Sequence, residues 1–212
     1  MLLALDTSSP TVTVAVHDGV DVRAEAASGS TMRHGEQLAP LVDQVLREAG
    51  LTPRELTAVA VGVGPGPFTG LRVGLVTART MAHVLGIPVY GVCSLDVLAV
   101  EAVATGTVSS GFVVATDARR KEVYLASYDE VGNRVAGPDV QRPLTVATDA
   151  PVVGEGGRLY PEAFPDARTP VRPSAGWLAR TVADERAELR DPEPLYLRRP
   201  DAEVPRPPKP VS

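Results

Sequence analysis

The chain has 212 residues, a formal net charge of −5, 44% hydrophobic residues and only 4% aromatic residues. This length suits one large domain or two small ones, with a core of Val, Leu and Ala. The acidic balance argues against strong RNA binding by this chain alone, because a phosphate backbone repels negative charge.

The first residues carry no pattern of a targeting segment. Met1 to Asp6 has no basic region and reaches a carboxylate at once, so we expect no signal peptide. No apolar stretch approaches the roughly 20 residues that a membrane-spanning helix needs. The single cysteine, Cys93, excludes an internal disulfide, and its apolar surroundings predict a small buried residue. These features predict a cytoplasmic protein without membrane contact.

Residues 1–104 have the pattern of an α/β amino-terminal lobe. Apolar and alternating runs predict strands over 2–6 and 11–16, and Asp18-Gly19 predicts the turn to a strand over 20–26. The remaining predicted strands cover 58–63 and a segment ending at Val92. The predicted helices cover 38–49, 52–55 (a short one), 70–85 and 94–104, the last capped by Ser94.

Residues 105–190 predict a smaller carboxy-terminal lobe. Its predicted elements are strands over 112–116, 122–128 and 152–153 and a helix over 174–188. Residues 191–212 are rich in proline and basic side chains, so we expect an extended tail without a core of its own.

An internal repeat relates the two halves. Asp6 ends one predicted strand and Asp117 ends another, and apolar residues follow each at offsets of six, eight and nine: Val12, Val14 and Ala15; Val123, Leu125 and Ala126. A strand–Asp–turn–strand unit that occurs twice suggests two related lobes that face a cleft. Chance alternation is the alternative, because strand patterns are common.

The two aspartates are candidates for residual nucleotide or phosphate contact. Asp6 and Asp117 at matching strand ends could hold a metal–nucleotide complex, and Thr7 could meet a phosphate. In the alternative interpretation each aspartate shapes its own turn through bonds to the backbone. The basic run Arg119-Arg120-Lys121 follows the second aspartate.

The loop Gly64-Pro65-Gly66-Pro67-Phe68-Thr69-Gly70 fits neither a Walker loop nor a dinucleotide fingerprint. Pro65 and Pro67 lack the amide donors that an anion nest uses. We interpret the loop as a rigid turn that exposes Phe68, which either fills the core, the commoner outcome, or meets a partner.

The helix after this loop has a stripe of very small residues at every fourth position, Gly70, Gly74, Ala78 and Ala82. Glycine weakens a helix by about 1 kcal/mol relative to alanine, so close approach of another element must compensate. We predict a partner interface on this helix and on the helix over 38–49, formed by Leu38, Leu41, Val42, Val45, Leu71, Gly74, Leu75, Ala78 and Ala82. A central helix covered within its own lobe is the alternative.

The histidines do not predict a metal site. His17, His34 and His83 lack the three- or four-residue spacing that places two ligands on one helical face. No local signature of a Ser-His-Asp triad is present either, and a triad assembled in space from distant residues stays open at this point.

Taken together, several motifs resemble the bacterial TsaB (YeaZ) family of threonylcarbamoyladenosine synthesis. They are Leu5-Asp6-Thr7-Ser8, the run from Arg33 to Leu38, the glycine–proline–phenylalanine loop with Leu71 to Gly74, Ser94-Leu95, Asp117-Ala118-Arg119, Glu122-Val123-Tyr124, Gly154-Glu155-Gly156 and the run from Pro194 to Arg198. Arg120-Lys121 departs from the pattern and puts a phosphate site near Asp117 in doubt.

The resemblance implies an actin-like (ASKHA, ribonuclease-H-like) duplicated α/β fold with two lobes. It implies a non-catalytic subunit for threonylcarbamoylation of the adenosine next to the anticodon in tRNAs that read codons beginning with A. The implied partners are the catalytic paralogue TsaD, paired through the first-lobe helices, and the ATPase TsaE. We expect a homodimer when the chain is alone, tRNA contact only through the complex, and no tightly bound cofactor, with ATP or ADP acting at the level of the complex.

Two other functions stay open from the sequence. One is an ATP-dependent phosphotransferase or ATPase of the same superfamily that is active alone through Asp6 and Asp117. The other is a peptidase, against which the missing histidine ligands weigh heavily.

Overall fold

Two mixed β-sheets of five strands each form the two lobes of the protein. The structure is a computed structural model and describes residues 1–29 and 34–198. The first sheet contains β1 (Leu2–Asp6), β2 (Thr13–His17), β3 (Val22–Ala27), β4 (Ala58–Gly62) and β5 (Val89–Val92). The second contains β6 (Phe112–Asp117), β7 (Val123–Tyr128), β8 (Arg134–Gln141), β9 (Val152–Val153) and β10 (Ala167–Arg168). The α-helices are α1 (His34–Glu48), α2 (Phe68–Leu85), α3 (Ser94–Ala104), α4 (Glu155–Leu159) and α5 (Ala175–Ala183).

The two sheets have the same topology. The strand order is β3-β2-β1-β4-β5 in the first and β8-β7-β6-β9-β10 in the second. In each sheet, the central strand is the first in chain order; it pairs antiparallel with the second strand and parallel with the fourth. Asp6 and Asp117 are the last residues of the two central strands. The predicted duplication is therefore confirmed, and the fold is the actin-like one.

One face of the first sheet is covered by α1 and α2. Leu3 and Leu5 of β1 point to these helices and belong to the same hydrophobic cluster. All nine residues that we predicted at a partner interface are buried, and eight of them are members of this cluster: Leu38, Leu41, Val42, Val45, Leu71, Leu75, Ala78 and Ala82, with Gly74 buried beside them. The prediction that these side chains meet a partner is wrong, because they form the core of their own lobe.

The small-residue stripe exists because α2 lies close to the turn after β1. A Cβ on Gly74 would stand 2.4 Å from Oγ1 of Thr7, and a Cβ on Gly70 would stand 2.7 Å from the Thr7 carbonyl oxygen. Both separations are too short for a side chain. The close approach that compensates for two helical glycines is therefore made within the lobe, as the alternative interpretation expected.

The opposite face of the first sheet is covered by a helix from the far end of the chain. Ala4, Ala15 and Ala60 lie on this face and pack against Leu178 and Ala179 of α5. Alanines on three neighbouring strands leave room for the helix to approach closely. Although α5 follows the second sheet in sequence, it is therefore part of the first lobe's core.

Helix α3, which precedes the second sheet in sequence, packs against that sheet. Leu95 and Leu98, which precede the second sheet in sequence, pack with Phe112 and Val114 of β6. Because α3 and α5 exchange lobes in this way, a division of the chain at residue 104 does not separate the two cores.

Several element boundaries differ from the sequence predictions. Cys93 occupies the N-cap position of α3, and the Ser94 hydroxyl bonds elsewhere, so the predicted cap is wrong. The helix predicted to reach Glu188 ends at Ala183. Strand β8 was not predicted, because its sequence contains Gly137 and Pro138 and most of its residues are exposed or half-buried.

The described part of the tail crosses both lobes. Leu195 packs against the hydrophobic clusters of both sheets, and its amide donates to the Val63 carbonyl at 2.9 Å. Arg190 forms a bridge with Gly91, and Arg198 donates to the Ala118 carbonyl at 2.8 Å. The rest of the predicted tail, 199–212, lies outside the described residues, as does the segment 30–33.

Candidate functional site

The carboxylate of Asp6 is buried and fully engaged by its own lobe. One oxygen accepts from the amide and the hydroxyl of Ser8 at 2.7 and 2.6 Å, and the other accepts from the Ser94 hydroxyl at 2.7 Å. Gly62 faces it so closely that a Cβ there would lie 1.8 Å from the carboxylate. Asp6 thus shapes the turn after β1, and a metal or phosphate would have to displace these bonds.

The other two candidates for nucleotide contact are also held by local bonds. Thr7 is buried and donates its hydroxyl to the Gly70 carbonyl at 2.8 Å, which fixes the turn to the start of α2. Asp117 accepts from the Arg119 amide at 2.8 Å and pairs with the guanidinium of the same residue at 3.4 Å. The fold brings the turns of Asp6 and Asp117 to one cleft, since Ser8, Ser9 and Asp117 line the same space.

This cleft between the lobes is closed. Arg172 spans it, donating to Oγ1 of Thr11 in the first lobe at 3.1 Å and to Oε1 of Glu155 in the second at 2.7 Å. The remaining cavity has a volume of about 20 Å³. That space suits about one water molecule, so the cleft in this conformation has no room for a nucleotide.

Phe68 lies on the surface at the start of α2. Its ring is 40% exposed and stacks on Tyr196 with 4.8 Å between ring centroids. The Arg72 guanidinium lies 3.7 Å from the Phe68 ring centroid and donates to the Tyr196 hydroxyl at 3.0 Å. Of the two alternatives for Phe68, the first does not occur: the side chain does not fill the core, and Tyr196 of the tail supplies an aromatic contact outside it.

The outward face of α2 carries a second apolar stripe. It contains Thr69, Val73, Val76, Thr80 and Val84, spaced by three or four residues, and we refer to these five residues as the outer stripe. Val76 is 63% exposed and Val84 is 75% exposed, whereas Val73 is half-buried. The sequence could not distinguish this stripe from the opposite one, since both faces of the helix are apolar.

Other reactive side chains are engaged in the fold. Cys93 is buried, and desolvation raises the pKa of its thiol to about 12, so it is not a nucleophile at neutral pH. His17 accepts a bond from the Gly19 amide at 3.0 Å, and His34 bonds to the Ser9 carbonyl at 2.8 Å. Within residues 1–29 and 34–198, no group of three or more His, Cys, Asp or Glu side chains is placed to hold a metal ion.

Helix length and composition also bear on the membrane question. In the part of the chain that the structure describes, no helix combines the length and apolar character needed to cross a bilayer.

Comparison with known proteins identifies the family. A family profile described as TsaD, tRNA N6-adenosine threonylcarbamoyltransferase, matches residues 28–156. The solved structure of YeaZ from Pseudomonas aeruginosa superimposes with a TM-score of 0.74 and 30% sequence identity, covering 92% of this chain and 99% of that one. The chain belongs to the TsaB (YeaZ) family.

Two curated relatives extend the similarity along the chain. An uncharacterized protein of Mycobacterium tuberculosis is 43% identical over 207 residues, which cover 95% of this chain and 93% of the relative. The tRNA threonylcarbamoyladenosine biosynthesis protein TsaB of Escherichia coli is 29% identical over 224 aligned residues, covering 93% of this chain and 94% of that protein. Membership in the family therefore involves both lobes.

Proposed function

We propose that the chain is a non-catalytic subunit required for threonylcarbamoylation of the adenosine at position 37 of tRNA, next to the anticodon. It acts by binding and activating the catalytic paralogue TsaD. Family membership supports this role, since relatives are named for threonylcarbamoyladenosine biosynthesis. The affected tRNAs read codons that begin with A.

The outer stripe of α2 is the observation that carries the proposal. Its exposed valines, Val76 and Val84, form an apolar strip on a helix whose opposite face is already buried. Arg72 and Arg79 lie beside the outer stripe and are exposed, so that charged side chains surround the apolar surface. A hydrophobic centre with a charged rim is typical of a protein–protein interface.

The closed cleft supports a role without catalysis by this chain. The carboxylate of Asp6 would have to break its hydrogen bonds with Ser8 and Ser94 before it could bind a metal or a phosphate. In addition, Arg172 links the two lobes across the cleft. In the proposed role, ATP or ADP acts at the level of the complex, TsaE joins the pair formed with TsaD, and tRNA is held only by the assembled complex. The complex works in the cytoplasm.

A binding titration with TsaD tests the proposal. Burying one valine contributes about 1.5 kcal/mol, and a lysine in its place brings a charge into the interface. The Val76→Lys variant should therefore bind TsaD at least about tenfold more weakly than the wild type. Isothermal calorimetry measures this dissociation constant.

Val20→Lys is the matched control, because Val20 is also strongly exposed, at 79% against 63% for Val76, but lies on the turn between β2 and β3. It should bind as the wild type does. When the chain is alone, we expect a homodimer that uses the same stripe, so Val76→Lys should be monomeric by mass measurement. Equal affinity of TsaD for both variants would place the interface elsewhere.

A further inference from the structure

The last described segment of the chain links the two lobes beside the cleft. The amide of Leu195 donates to the Val63 carbonyl of the first lobe at 2.9 Å. Further along, the Arg198 guanidinium donates to the Ala118 carbonyl of the second lobe at 2.8 Å. We refer to residues 190–198 as the strap and to these two hydrogen bonds as its anchors.

Both anchors of the strap lie next to residues that line the cleft. Val63 lies two residues before Pro65, which lines the cleft from the first lobe. Ala118 lies between Asp117 and Arg119, which line the cleft from the second lobe. The strap therefore connects one wall of the cleft to the other.

The strap leaves little slack between its anchors. Leu195 and Arg198 are three residue steps apart, and three steps of fully extended backbone span roughly 10 Å. Val63 and Ala118 therefore cannot move far apart while both hydrogen bonds persist. Widening of the cleft at this point requires the release of at least one anchor.

The anchor on the second lobe is accessible to water. Besides its bond to the Ala118 carbonyl, Arg198 pairs with the carboxylate of Glu122. The two charged side chains are 24% and 29% exposed. Single hydrogen bonds and partly exposed ion pairs contribute little free energy compared with a hydrophobic core. This anchor can therefore break while both lobes stay folded.

Other contacts hold the strap on the first lobe. Arg190 exchanges two backbone hydrogen bonds of 2.8 Å with Gly91 of β5. Leu195 is half-buried and packs against the clusters of both sheets. The ring of Tyr196 stacks on that of Phe68 at the start of α2. The strap thus stays on the first lobe when Arg198 is released.

We propose that the strap is a conformational device that keeps the cleft closed. Release of Arg198 from Ala118 lets the two walls separate and exposes the residues that line the cleft, in a local opening that leaves the cores folded. Because Arg172 also links the lobes, loss of the anchor raises the population of the open form without making it permanent. This device does not depend on the proposed function.

Thiol labelling of the full-length chain with dithionitrobenzoate measures this opening. Thr116 lines the cleft, and its buried hydroxyl has no hydrogen-bond partner among the described residues, so Thr116→Cys places a thiol there without breaking a bond. The cavity of about 20 Å³ excludes the reagent while the cleft is closed. Cys93 is buried in the core and reports global unfolding in the same sample.

Loss of the second-lobe anchor should accelerate labelling in the cleft alone. In the Thr116→Cys background, Arg198→Gln should raise the labelling rate of the cleft thiol about fivefold and leave that of Cys93 unchanged. Tyr196→Ala, which removes the stack on Phe68 without touching a wall of the cleft, should raise it about twofold to threefold.

Arg47→Gln is the matched control, since it also removes an arginine that pairs with a carboxylate. That pair, with Asp43 at 2.9 Å, lies within α1 and does not join the lobes. The control should leave the labelling rate of the cleft thiol unchanged.

Four results would overturn the inference. The first is an unchanged labelling rate of the cleft thiol in Arg198→Gln, including the case in which Arg172→Gln alone accelerates it. The second is equal acceleration by Arg198→Gln and Arg47→Gln. The third is equal acceleration of the cleft thiol and Cys93, which would mean that the variant unfolds globally. The fourth is labelling of the cleft thiol at the rate of a free thiol with the strap intact, which would mean that the cleft is open.

Discussion

Gly74 lies where α2 crosses the turn after β1, and the space around it has no room for a side chain. A Cβ would stand 2.4 Å from Oγ1 of Thr7, whose hydroxyl is already bonded to the Gly70 carbonyl. Both the sheet and the helix are fixed at this point, so neither can move away cheaply. The residue is therefore needed for packing within the lobe and not for contact with a partner.

Gly74→Ala should destabilise the protein by about 1–2 kcal/mol. Overpacking costs about 1–3 kcal/mol, and the better helix propensity of alanine returns up to about 1 kcal/mol. The control is Gly35→Ala in α1, where a Cβ meets nothing within 4 Å. It should be neutral or stabilising by up to about 1 kcal/mol. Urea unfolding measures both, and equal effects would contradict this account of the stripe.

Glu101 of α3 is a partly buried carboxylate whose titration the structure perturbs. The pKa of its carboxyl group is raised from the ordinary value of 4.5 to about 7. The larger cause is burial, and the smaller one is the negative charge of Glu25. Among the described residues, its Oε2 atom has no hydrogen-bond partner. Glu25 cannot move away easily, since it accepts bonds from the Ser174 hydroxyl and the Gly176 amide.

This shift predicts a fall in stability as pH rises. The folded state retains a proton on Glu101 between pH 4.5 and about 7, where the unfolded state has lost it, so the stabilising contribution is lost across this window. Glu101→Gln should flatten the dependence and stabilise the protein at higher pH by on the order of 1 kcal/mol, a figure reduced for partial exposure. Urea unfolding at several pH values measures it. Parallel profiles for the two proteins would contradict the prediction.

At the scale of elements, the periodicity of α2 predicted the helix but not its orientation. The sequence showed a small-residue stripe and a larger apolar surface, and we assigned the first to a partner. The structure buries Gly74 and Ala78 against β1 and β4, and leaves Val76 and Val84 outside. Which of two apolar faces covers a sheet depends on the shape of that sheet, and one helix's periodicity does not contain this information.

Strands with strong alternation were predicted well, and weakly patterned elements were missed. β1, β2 and β7 are close to their predicted ranges because they are apolar and bounded by clear turns. β8 is exposed and interrupted by proline, and β10 has only two residues, so neither gives a signal in the sequence. The local bonds of Asp6 and Asp117 agree with the interpretation that each shapes its own turn.

At the scale of the molecule, the repeat around Asp6 and Asp117 predicted the duplicated architecture. The contacts that join the lobes were not predictable, since they link residues far apart in sequence. Arg172 bonds to Thr11 across the cleft, Leu178 covers the first sheet, and Leu195 packs on both cores. These contacts join the two lobes into one body.

In the proposed function, the chain supports TsaD and does not itself transfer the threonylcarbamoyl group. The most direct test of this proposal is threonylcarbamoylation of tRNA in a reconstituted mixture of TsaD, TsaE and a threonylcarbamoyl donor, with and without this chain. We expect little product without the chain, full activity with it and none from the chain alone. The defect of Val76→Lys should be recovered when this variant is present at high concentration. Product formation that is independent of the chain, or formed by the chain without TsaD, would contradict it.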